Sequence, residues 1–258
     1  MRSCAFVFAD RQGKMGLGRI LVRTFADFAL PPRCPVCGVT VEENHEFCLM
    51  CWQQLEFLAG PCCIQCGEPF AFERSPESKC GQCLAKPPHL DGVHAVVRYG
   101  DVSAKIIIRL KYGGRLGIAE LIAGHLHRLV AEGDPADMIV PVPLHRSRLW
   151  SRGFNQSVLI AEALGRRMAR DVSHNLLIRK RPTPPLKKMN NAERFQTVKD
   201  VFDVTAKGRS LLSGKKIVLV DDVYTSGSTA NACARILKAG GAQKVTLLCW
   251  ARVCHSVE

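Results

Sequence analysis

Two sets of residues in this 258-residue chain have types and spacings that can do chemistry. The first is the acid pair Asp221-Asp222, directly ahead of Val223-Tyr224-Thr225-Ser226-Gly227-Ser228-Thr229. Ionised carboxylates only accept hydrogen bonds, so they suit hydroxyl groups or a cation. The hydroxyls of Thr225, Ser226, Ser228 and Thr229, with the N–H groups of a turn, can all donate to a phosphate, and Gly227 lets the chain approach it closely. Acceptors at one end and donors at the other fit a sugar phosphate better than a nucleoside triphosphate. The second set is four Cys-x-x-Cys pairs, Cys34/Cys37, Cys48/Cys51, Cys63/Cys66 and Cys80/Cys83. Each pair can turn two sulfurs onto one cation, and two pairs complete a tetrahedral thiolate site. Two ribbons, 34–51 and 63–83, are the simplest pairing and call for two structural zinc ions. Gly38 and Gly67 follow the second cysteine of a pair, where a knuckle needs positive φ. Cys62 could substitute for Cys63, while Cys4, Cys233, Cys249 and Cys254 read as ordinary thiols.

These groups need elements to position them. Ile217 to Val220 is a continuous apolar run, the mark of a buried parallel strand, and the acid pair falls where that strand is expected to end. The hydroxyl turn follows, then a helix from Ala230 to Lys238 closed by Gly240-Gly241. Strand, turn and helix N-terminus form a ready anion site. No Gly-Lys-[Ser/Thr] follows, which excludes a Walker A loop, and the dinucleotide fingerprint lacks its three glycines. Further strands are expected at Val93–Tyr99, Met138–Leu144, Leu176–Arg179, Phe202–Val204 (re-entering the sheet) and Val245–Ala251. A helix is expected from Val102, interrupted at Tyr112–Arg115 and resumed over Leu116–Val130; another opens at Phe154-Asn155-Gln156 and runs to Met168. Lys105 and Arg109 read as a solvated helix face. The segment His145–Gly153 reads as a cationic loop carrying Arg146, Arg148 and Arg152. Residues 179–199 read as a long basic loop able to act as a lid.

The bulk composition bounds the rest. Hydrophobic content of 47% with 23% charged residues describes a globular chain with no apolar run of membrane-spanning length. The formal net charge is +13, and residues 142–199 hold thirteen Lys and Arg against three acids, which suits anionic partners. Thirteen cysteines, eight of them in Cys-x-x-Cys pairs, point to metal in a reducing cytoplasm rather than to disulfides. Three segments are expected: 1–30 with an amphipathic helix from Gly16 to Leu30, a double zinc ribbon over 31–88 ending at Pro87-Pro88, and an α/β domain over 89–258. The helical pattern begins immediately after Met15, which reads as the native start.

The acid pair and hydroxyl turn resemble the 5-phosphoribosyl-1-pyrophosphate (PRPP) motif of type I phosphoribosyltransferases, in which the acids hold the ribose hydroxyls and the turn holds the 5′-phosphate. From about Leu30 to Val253 the chain resembles the ComF family, which joins a cysteine-zinc module to a phosphoribosyltransferase-like domain. The matching pieces are Leu30-Pro31-Pro32-Arg33-Cys34-Pro35-Val36-Cys37-Gly38, Leu110-Lys111-Tyr112, Val140-Pro141-Val142-Pro143-Leu144, Arg152-Gly153-Phe154-Asn155-Gln156 and Val220 to Thr229. The resemblance implies a type I phosphoribosyltransferase-like parallel sheet flanked by helices. It also implies PRPP binding with magnesium, with Arg146 on the leaving pyrophosphate and Arg194 in the lid. The lid departs from the family in carrying Leu186 where Gln is frequent and Thr197 where Asn is frequent; Arg194 is retained. Two functions follow from it. One is transfer of a phosphoribosyl group to an acceptor, linked to DNA uptake. The other is non-catalytic PRPP sensing combined with binding of single-stranded DNA or a competence-machinery protein. Aromatic residues, at 7%, are sparse for stacking bases.

Overall fold

The computed structural model describes residues 31–113, 116–130, 136–183, 191–198 and 200–254. The amphipathic segment before residue 31, the expected start at Met15 and lid residues 184–190 lie outside them. In chain order the elements are α1 (Leu49–Gln53), α2 (Gly81–Ala85), β1 (Gly92–Arg98), α3 (Asp101–Gly113), α4 (Leu116–Val130), β2 (Met138–Pro141), α5 (Arg146–Arg152), α6 (Gln156–Met168), β3 (Leu177–Arg179), α7 (Asn191–Val198), β4 (Phe202–Val204), α8 (Ala206–Leu212), β5 (Lys216–Tyr224), α9 (Ser228–Ala239) and β6 (Lys244–Arg252).

The central sheet is parallel with strand order β1-β6-β5-β2. Its two middle strands are apolar on successive residues because both of their faces are covered. Val218, Val220, Leu248 and Trp250 pack with Ile106, Leu110, Ile122, Leu126, Ile160 and Leu164 from α3, α4 and α6. Ile217, Leu219, Val245 and Leu247 point the other way, onto Leu212 of α8 and Cys233 and Leu237 of α9. The period-2 alternation of a strand distributes one apolar run between two cores.

Three expectations need correction. Phe202–Val204 does not re-enter the central sheet: β4 pairs antiparallel with β3 as a separate two-stranded unit, whose Leu177, Phe202 and Val204 join the core on the α9 side. His145–Gly153 is not a loop, since α5 occupies it. Its N-cap is His145, whose Nδ1 accepts from Ser147 N at 3.2 Å, and it closes at Gly153 with φ 76°. None of its residues is buried, so it has no apolar stripe for a sequence reading to find. Within 179–199, residues Asn191–Val198 form α7 rather than loop.

The cysteine-rich segment docks onto the α/β core. Arg109 of α3, expected on a solvated face, instead donates to Pro35 O at 2.8 Å. Phe47, Trp52 and Phe57 gather around His125 of α4 and Trp250 of β6, with Trp52 and Phe57 centroids 4.5 Å apart and His125 5.8 Å from Phe57 and Trp250. Farther along the chain, Glu68 forms a buried ion pair with Arg252, the last residue of β6.

Candidate functional site

Two groups of four cysteines come together. Cys34, Cys37, Cys48 and Cys51 form one; Cys63, Cys66, Cys80 and Cys83 form the other, and within each the sulfurs lie within 4.8 Å of one another. The sequential pairing is thus the one the fold makes, and Cys63 is chosen over the exposed Cys62. Sulfur–sulfur distances of 3.6 Å, for Cys37–Cys48 and Cys66–Cys80, are far beyond a disulfide bond of about 2.05 Å. They match the roughly 3.8 Å edge of a tetrahedron with 2.3 Å zinc–sulfur bonds. The knuckles follow from the glycines: Gly38 and Gly67 adopt φ 82° and 69°, and their N–H groups donate to Cys34 O and Cys63 O at 2.9 and 2.7 Å. One sulfur per cluster is prepared for ionisation. Burial opposes it at Cys34, but N–H groups of Cys37, Cys48 and Val36 bring that thiol down to about 6. Those of Cys66, Cys80 and Gln65 likewise bring Cys63 to about 7 against its burial. These residues suit zinc in both ribbons.

The acid pair lies within β5 rather than after it. Asp221 pairs in register with Cys249 and Val223 with Ala251, so the strand runs on to Tyr224. The carboxylates therefore sit on a rigid element. Asp222 is buried and its Oδ2 carries the ammonium of Lys111, from the last turn of α3. Asp221 Oδ1 accepts from Ser157 Oγ at 3.0 Å and from Asp222 N at 2.9 Å. Burial, then the neighbouring Asp222 charge, push the Asp221 carboxyl up to about 8, with Lys111 opposing them. Ser157 is itself placed by Asn155. That side chain caps α6 by accepting from Ser157 N at 3.0 Å and donates to Val142 O at 3.0 Å, just past β2. This is the structural content of Phe154-Asn155-Gln156: it links the end of one strand to the carboxylate of the next. Lys111 and Ser157 were not singled out as contacts of the acids by sequence, because each lies more than sixty residues from its partner.

Beyond Tyr224 the chain turns at Gly227, with φ 72°, into the N-terminus of α9. A Cβ at Gly227 would come within 2.4 Å of Tyr224 Oη, so the buried phenol beneath the turn requires glycine there. Ser226 Oγ and Ser228 Oγ lie 2.9 Å apart, Thr225 is exposed and Thr229 half-buried. Beside this turn is a cleft of about 250 Å³, lined by Thr225, Ser226, Asn231 and Arg252 of the α/β domain and by Gln82 and Lys86 of the second ribbon. A more apolar cleft of about 260 Å³ opens at the other end of β5 and β6, lined by Lys216, Lys244 and Leu248. Ligands of open parallel sheets bind at the carboxyl ends of the strands, which favours the cleft at the turn.

The cationic residues are less converged. Arg146 is exposed at the start of α5. Arg148 donates to Thr183 O at 3.4 Å, and Arg152 donates to Gln156 Oε1 at 3.2 Å while lying 5.5 Å from the Tyr112 ring. Arg194 belongs to α7, and its side chain is outside the described atoms.

The sequence of the double zinc ribbon domain family matches residues 25–84, and that of the phosphoribosyl transferase domain matches residues 156–257. Fold and site thus define a protein that joins a double zinc ribbon to a phosphoribosyltransferase domain. The chain is 30% identical over 231 residues to DNA utilization protein YhgH of Escherichia coli (strain K12), covering 86% of this chain and 98% of that protein. It is 29% identical over 220 residues to competence protein ComFC of Bacillus subtilis (strain 168), covering 81% of this chain and 86% of that one. The chain belongs to the ComF family. Among solved structures, glutamine PRPP amidotransferase from B. subtilis aligns at 20% identity and a TM-score of 0.37, over 55% of this chain and 30% of that enzyme. No helix among the described residues is long and apolar enough to cross a membrane.

Proposed function

We propose that the chain binds PRPP and transfers its phosphoribosyl group to an acceptor with release of pyrophosphate. The observation that carries this reading is the continuity of β5, turn and α9. It holds Asp221 and Asp222 on a strand, one turn ahead of the N–H groups and hydroxyls of Thr225–Thr229. The 5′-phosphate would take the donors of the turn. The ribose hydroxyls would take the carboxylates of Asp221 and Asp222, with Val223 and Tyr224 shaping the floor between. A magnesium ion bound to PRPP oxygens would sit near these acids, Asp222 already having Lys111 as its cationic partner.

In the transfer step the bond from C1 of the ribose to the pyrophosphate oxygen breaks, and positive charge grows on the sugar. Negative charge held by the acid pair near the ring favours that positive charge, and cations favour the departing pyrophosphate. Arg146, at the start of α5 a few residues past the end of β2, is assigned that second task together with Arg194. The DNA-related names of the relatives make nucleic acid or a DNA-uptake protein the context to examine for the acceptor or partner. The test is a screen of purine, pyrimidine and amine acceptors for PRPP-dependent pyrophosphate release. Release with one acceptor, lost in Asp221→Asn, supports transfer. PRPP binding with no release under any acceptor leaves a PRPP-sensing protein in its place.

A further inference from the structure

The cleft at the turn is built half from the α/β core and half from the second ribbon. Gln82 lies between the ligating Cys80 and Cys83, and Lys86 caps α2, its N–H donating to Gln82 O at 2.9 Å. The ribbon is fastened on both sides of the turn. On one side Arg252 binds Glu68 and the carbonyl of Cys66. On the other, His89 N donates to the Asn231 side chain in the first turn of α9, and Gln65 Nε2 donates to Pro88 O at 3.2 Å. Arg252 is 2% exposed and lines the cleft, yet its Nε has no acceptor among the described residues. The one carboxylate of the cleft, Glu68, is paired with Arg252, and the sulfurs of Cys66 and Cys83 belong to the second cysteine cluster; the other polar lining groups are hydroxyls, the amides of Gln82 and Asn231, and the cations Lys86 and Arg252. Such a lining fits an anion.

Taking the turn as a sugar-phosphate site, we infer that Gln82 and Lys86 of the second ribbon are specificity-determining residues for its anionic ligand. The second cysteine cluster then does more than fold its own segment: by holding α2 it fixes one wall of the ligand site. The first cluster has a different place, since Cys34 and Cys51 pack into the core under α3 and α4. The second ribbon therefore sets what lies beside the phosphate.

Calorimetry on the full zinc-loaded chain, with PRPP and magnesium and separately with ribose 5-phosphate, tests this. Lys86→Ala is expected to weaken both ligands by roughly tenfold or more, the worth of one charge-assisted hydrogen bond, and Lys86→Glu to weaken them further. Zinc content and melting temperature should be unchanged in both. Gln82→Ala should change the ratio of the two affinities. Lys79→Ala, an exposed charge on the same ribbon outside the cleft, should match wild type. Equal affinities in wild type, Lys86→Ala and Lys86→Glu overturn the inference alone. Wild-type binding of ribose 5-phosphate without PRPP, weakened by Lys86→Ala, upholds it and overturns the PRPP reading. No binding of either ligand by wild type overturns both.

Discussion

Lys111, in the last turn of α3, places its ammonium on the buried carboxylate of Asp222 in β5. The pair joins the helix that carries the first ribbon, through Arg109, to the strand that carries the acids.

Removing Lys111 leaves Asp222 charged, buried and without its partner. Breaking a buried pair from one side costs roughly 3–5 kcal/mol, and the partial exposure of Lys111 places this case at or below the lower end. Urea unfolding of Lys111→Met should show that loss. The double variant Lys111→Met with Asp222→Asn should recover most of it, since no unpaired charge remains. Additive losses would show that the two residues are not coupled.

Burial among aromatic rings pushes the His125 imidazole down to about 4, with Arg128 acting in the same direction. The sign follows: the unfolded imidazole takes up a proton near pH 6.5 and the folded one does not until about 4. This contribution is therefore intact above about pH 6.5 and is lost as pH falls from there toward 4. Thermal melts across that window should fall more steeply for wild type than for His125→Phe, which keeps the ring and cannot titrate. Because Phe47, Trp52 and Phe57 surround it, the early product of acid unfolding should be separation of the first ribbon from α4. Identical pH slopes would remove His125 from the account.

Metal analysis of reduced, freshly purified protein should find about two zinc ions per chain. Cys63→Ser should retain one and disturb the second ribbon, while Cys34→Ser should disturb the first and loosen its packing on α3 and α4. A chain without zinc, folded as described, would contradict the tetrahedral reading of the sulfur distances.

What could be read from the sequence was what depends on neighbours along the chain. Cysteine spacing, the glycine knuckles and the apolar run of Ile217–Val220 are local patterns. The acid pair was found too, but placed after the strand. The strand continues because Asp221 and Val223 pair with Cys249 and Ala251, a ladder no single run displays. The three-residue strands β3 and β4 carry no sign of which sheet they join. α5 was missed because a histidine cap and an exposed, arginine-rich surface look like loop. Lys111 on Asp222, Ser157 on Asp221 and Arg109 on Pro35 are pairings of distant segments, fixed only once the sheet brings α3, α6 and the ribbon together.

The central claim is that Asp221 and Asp222 are the ribose end, and Thr225–Thr229 the phosphate end, of a PRPP site. Calorimetry with PRPP and magnesium on wild type, Asp222→Asn, Thr229→Val and Ser213→Ala tests it most directly. A lost charged acceptor or phosphate donor is worth about 1.5–3 kcal/mol, so the first two variants should bind roughly ten- to a hundredfold more weakly while remaining folded. Ser213→Ala, which lies before β5, should bind as wild type does. Wild-type protein that binds no PRPP at millimolar concentration, or binds ATP equally well, would contradict the account.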